Sequence, residues 1–118
     1  MRDQSTIAFA TRRHEPPGLE IRINFGMFAG REATSAELDE LGKELLTRVR
    51  GVSIIREERH EIADTSEVSL HQVRVEVPSE DLPADEHELD ELRGRLLEIA
   101  ERWAQTCFAE RRVDLAES

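Results

Sequence analysis

The chain has 118 residues, 16 Lys or Arg against 26 Asp or Glu, and a formal net charge of −10 with its four histidines neutral. That balance excludes unassisted nucleic-acid binding, the lone Cys107 excludes an internal disulfide, and no stretch approaches the roughly 20 apolar residues that span a bilayer. One domain over residues 1–118 is expected, with residues 1–5 and 113–118 as frayed termini, in a soluble cytoplasmic protein without membrane contact.

Thr6 to Arg12 alternates weakly, with Ile7 and Phe9 in phase, and predicts a short strand. His14-Glu15-Pro16-Pro17-Gly18 breaks regular structure. Leu19, Ile21, Ile23 and Phe25 then alternate with Glu20, Arg22 and Asn24, the period of a strand with one buried face. Gly26 to Ala33 reads as a loop. Thr34 and Glu37 form a capping box, and Leu38, Leu41, Leu45, Leu46 and Val49 share a helical face, predicting a helix from about Ser35 to Arg50 closed by Gly51. Gly42 interrupts that stripe, which predicts a close approach to the sheet or another helix.

Val52 to Ile62 and Glu67 to Val77 read as a hairpin around Ala63 to Ser66. Pairing Ile62 with Glu67 sets Ile54 against Val75 and makes the hairpin base apolar. Val68 and Leu70 are out of phase with Val73, Val75 and Val77, which predicts a β-bulge near His71-Gln72. The distal half of the hairpin is polar on both faces and is expected to project. Asp85 and Glu88 give a second capping box, and Leu89, Leu92, Leu96, Ile99 and Trp103 line a helix reaching about Arg112. Seven acids and no base lie between Ser79 and Glu91, matching the linker and first turns of that helix.

The order β-β-α-β-β-α predicts an α+β fold: a mostly antiparallel four-stranded sheet with two helices on one face. It is a ferredoxin-like, split β-α-β variant in which the N-terminal strand takes an edge position.

Two places could carry chemistry. Gly26, Gly30, Arg31 and Glu32 lie between a buried strand and a capped helix, where free amides and a guanidinium suit a carboxylate or phosphate. The pattern is neither a P-loop nor a dinucleotide fingerprint, and a tight turn with solvated charges is the favoured reading. On the hairpin, Glu58 falls opposite His71, with His60 two residues on, as a polar cluster. Charged cross-strand pairs on a solvated ribbon are the plainer reading. His87-Glu88 opens like a zinc-protease helix, but the second His of H-E-x-x-H is absent. Cys107 reads as a small buried hydrophobe. No metal and no cofactor are expected.

Leu97, Ala104 and Phe108 widen the apolar stripe of the last helix and are the expected contacts with a second subunit. The favoured function is a non-catalytic interaction module, forming a homodimer and binding a protein partner through the long helix, the projecting hairpin, or both. The alternative is a small-ligand or catalytic domain with its pocket at the Gly26–Glu32 loop. A further alternative is an acidic protein that blocks a basic partner, since all of the net charge lies beyond residue 59.

Overall fold

The computed structural model describes residues 7–12, 18–64 and 66–117. Residues 1–5, expected to fray, lie outside the described residues, as do Thr6 and the proline pair. The elements are β1 (Ala8–Arg12), β2 (Leu19–Ile23), α1 (Phe25–Ala29), α2 (Ser35–Leu45), β3 (Ser53–Ala63), β4 (Ser66–Val77) and α3 (Glu86–Glu117), with a 3-10 turn at Ser79–Asp81. The fold is α+β, with one antiparallel sheet in the order β1-β2-β4-β3. β4 is inserted between β2 and β3, which therefore run parallel to each other without touching.

Alternation in the strands decides the layers. Leu19, Ile21 and Ile23 of β2 and Val73, Val75 and Val77 of β4 are fully buried beneath the helices with Leu41, Leu45, Leu96 and Trp103. α3 lies over β1 and β2, while α2 packs on the same face toward β3, with Gly42 above Ile54. A Cβ on Gly42 would lie 3.5 Å from Ile54 Cδ1, an ordinary contact, so the backbone approach expected there is looser than a glycine requires.

Four local expectations change. The Gly26–Ala33 segment is not all loop: α1 occupies Phe25–Ala29 and ends at Gly30, whose φ of 74° is the left-handed cap geometry. Where β2 would have continued along β4, α1 turns away, and Gly26 seats against His71. The second helix stops at Leu45 rather than Arg50, because the Thr47 hydroxyl and the Thr47 and Arg48 amides donate to the Glu44 and Leu45 carbonyls and tighten the last turn. Gly51 has no positive φ and is not its cap. No bulge interrupts the hairpin: pairing is continuous from Ser53↔Glu76 to Ala63↔Ser66. α3 continues past Arg112 to Glu117, about 48 Å at 1.5 Å per residue.

β2 accompanies β4 only along Val73–Val77, so the remainder of the β3–β4 hairpin is a two-stranded ribbon. α3 starts beside Arg12 and Leu19 and reaches Phe25 with Trp103 and Phe108, so its final turns leave the core at the same end as the ribbon. These projections raise the radius of gyration to 15.4 Å, against roughly 13.5 Å for a compact chain of this length. Among the described residues, no helix is long and apolar enough to cross a membrane.

Two glycines separate close packing from mere helix propensity. A Cβ at Gly26 would lie 2.8 Å from His71 Cβ and 3.0 Å from its backbone, whereas one at Gly94 on α3 meets nothing. Gly26→Ala should therefore lose roughly 1 to 3 kcal/mol through overpacking. Gly94→Ala should gain up to about 1 kcal/mol from helix propensity. Urea midpoints of the two variants should move in opposite directions.

Candidate functional site

The structure separates the four residues of the α1–α2 segment. Gly30 is exposed and caps α1, while Gly26 is packed on His71. Arg31 turns inward. Its guanidinium donates to both carboxylate oxygens of Glu37 at 2.9 and 2.8 Å and to the Glu32 carbonyl at 3.0 Å, and it sits 5.3 Å from the centroid of the Phe25 ring. The cation expected to receive an anion is thus bound to a carboxylate of its own chain.

Glu37 is the centre of this arrangement. The predicted capping box is present in both directions: the Thr34 amide donates to Glu37 Oε1 at 2.9 Å, and the Glu37 amide donates to Thr34 Oγ1 at 3.1 Å. The Cys107 thiol donates to the same carboxylate from α3, and Trp103 Nε1 donates to the Glu37 carbonyl at 2.8 Å. The Arg31 hydrogen bonds, opposed by burial and reinforced by the Thr34 amide, hold the Glu37 carboxyl down from 4.5 to about 2. Cys107 is buried, as its apolar neighbours predict.

Glu32 points the other way and connects the two regions singled out in the sequence. One carboxylate oxygen lies 3.8 Å from His71 Nδ1 and the other 4.0 Å from Arg56. Arg56 also donates to the Ala33 carbonyl at 3.1 Å. Glu58 falls opposite His71 as expected, and Glu58 and His60 are 4.0 Å apart. Glu32, Arg56, Glu58, His60 and His71 therefore form a polar row on the helix-side face of the ribbon. Its carboxylates and imidazoles are substantially exposed, an environment that does little to perturb a catalytic base. Among the described residues, no group of three His, Cys, Asp or Glu is placed to hold a metal ion. Two clefts lie elsewhere: about 430 Å³ around Arg12, His87 and Arg93, and about 370 Å³ between α2 and α3 at Lys43, Arg102 and Trp103.

The residues expected to contact a second subunit are largely taken up by the core. Ala104 is fully buried, and Leu97 and Phe108 are half-buried against it. Phe108 stacks on Phe28 and meets Phe25 edge-on, both at 5.5 Å between centroids.

Sequence reasoning missed a charged array on the opposite face of the sheet. There Glu20 pairs with Arg22, and Glu57 lies 3.4 Å from Arg22 and 3.1 Å from Arg74, which reaches Glu76 at 3.2 Å. Across β2 and β4, Glu20 stands opposite Glu76 and Arg22 opposite Arg74. The alternating charges were visible in each strand, but their compensation depends on which strands are neighbours.

The chain matches no known protein-family model, no curated protein and no solved structure.

The lowered carboxyl of Glu37 gives a pH signature. Its folded value lies below its unfolded one, so the stability it contributes is present above about pH 4.5 and is lost as pH falls through about 2. Glu37→Gln should cost roughly 2 to 3 kcal/mol at neutral pH. The gap from the parent protein should narrow across that acid window, as read by urea unfolding at a series of pH values.

Proposed function

We propose that this protein is a non-catalytic interaction module that self-associates through its β3–β4 ribbon, on a ferredoxin-like scaffold whose N-terminal strand occupies one sheet edge. The carrying observation is the ribbon itself. Beyond Val73, β4 has β3 as its only strand partner among the described residues, and Ile62 near the tip is 74% exposed. A two-stranded hairpin is marginal in water and gains from a further strand or an apolar surface. An isoleucine exposed at such a place is the kind of side chain a protein partner removes from water.

The ribbon is favoured over the helix as the contact surface because Ala104 and Phe108 serve the chain's own core. A ligand pocket at the Gly26–Glu32 loop is disfavoured because Arg31 is bound to Glu37.

Light scattering after size exclusion at micromolar concentration should give twice the 13.5 kDa chain mass. Ile62→Asp should weaken the assembly by at least about tenfold, corresponding to 1.4 kcal/mol, without altering helical content. A monomer at every accessible concentration would remove the reading.

A further inference from the structure

We infer that β3 pairs antiparallel with β3 of a second copy about a twofold axis through Glu58, joining two four-stranded sheets into one of eight strands. This rests on the self-association reading above and specifies its surface and register.

β3 is the outer strand of the sheet, and no described strand lies beyond it. An eleven-residue edge offers a row of backbone donors and acceptors suited to a further strand. Symmetry then limits the choices. Directly opposed residues of an antiparallel pair point to the same face, so a twofold axis between identical neighbouring strands must set one residue opposite itself. Slipping the register by one residue moves every side chain to the other face, so only whole-residue centres are allowed.

Glu58 is the midpoint of Ser53–Ala63, and an axis there engages the full strand. It sets Ile54 opposite the partner's Ile62, and Glu57 opposite the partner's Arg59, each twice. The self-opposed Glu58 is flanked by Arg56 and His60 from both copies. An axis at Glu57 likewise opposes a carboxylate to itself and pairs Arg56 with the partner's Glu58, but it sets Ile55 against the partner's Arg59 and leaves Ile62 beyond the overlap of the strands. An axis at Arg59 sets Glu57 against the partner's Glu61 and Ile62 against the partner's Arg56. Cross-strand apolar and opposite-charge pairs stabilise a sheet, whereas like charges directly opposed oppose it. Among these three centres, Glu58 alone combines complete overlap with both favourable pair types.

The projection of the ribbon supports the same arrangement. Antiparallel pairing brings the distal half of each ribbon beside the proximal half of the other β3. Gly42 of α2 stands above Ile54, so the arriving Ile62 comes alongside the C-terminal part of the partner's α2, near Leu46, which is 50% exposed. Of the three large exposed hydrophobic side chains among the described residues, two thus fall in one contact.

Single-cysteine additions to the full chain test the register, since the native Cys107 is buried. A disulfide needs Cα atoms within about 7 Å, and only the residue on the axis meets its own copy at that distance. With oxidised glutathione as the probe, Glu58→Cys should form a covalent dimer on a non-reducing gel. Arg56→Cys and His60→Cys should each remain uncrosslinked alone and form a mixed dimer when combined, with circular dichroism confirming that each variant is folded. A dimer by light scattering in which Glu58→Cys fails to cross-link, or Arg56→Cys links to itself, overturns the register while leaving self-association standing. A monomer by light scattering overturns both.

Discussion

A single carboxylate holds the helical layer together. Glu37 begins α2, receives the guanidinium of Arg31 from the end of α1, and accepts the thiol of Cys107 from α3, while its own carbonyl takes the indole of Trp103. Three helices are thereby tied at one point. Because the carboxylate also closes the capping box with Thr34, the start of α2 and the packing of α3 cannot vary independently. The Phe25, Trp103 and Phe108 rings beside it exclude water and strengthen each polar contact.

This tie decides what the neighbouring surface can do. A guanidinium committed to an internal carboxylate and stacked over Phe25 has little capacity left for an anion. What remains near α1 is the Glu32–His71 contact and the ribbon behind it. The segment between β2 and α2 is therefore a fixed structural connection between layers.

Much of the scaffold was legible because periodic burial is written directly into residue order. Leu19, Ile21 and Ile23, and Val73, Val75 and Val77, announce their strands. The hairpin register followed from matching Ile54 with Val75, and Glu58 with His71. The phase of Val68 and Leu70 misled because the ribbon has left the helical layer there, so hydrophobic phase no longer reports a buried face. α1 escaped notice because five residues are too few to display helical periodicity. The Arg31–Glu37 bond was missed for another reason. The two residues are six apart, bridged by a cap and an irregular segment, and no helical spacing relates them. Leu97, Ala104 and Phe108 were correctly seen to widen a stripe, but the sequence does not say that α1 would be there to cover Phe108.

The charged array on the far face of the sheet bears on how any assembly can grow. Like charges stand opposite one another across β2 and β4, while unlike charges alternate along each strand, with Glu57 between the two arginines. These rows of opposite sign largely compensate one another at close range. Stacking a second sheet on it would bury the part-exposed charges of Arg22, Glu57, Arg74 and Glu76, a desolvation cost that weighs against such a layer. That cost disfavours growth perpendicular to the sheet and is compatible with the lateral strand pairing proposed above.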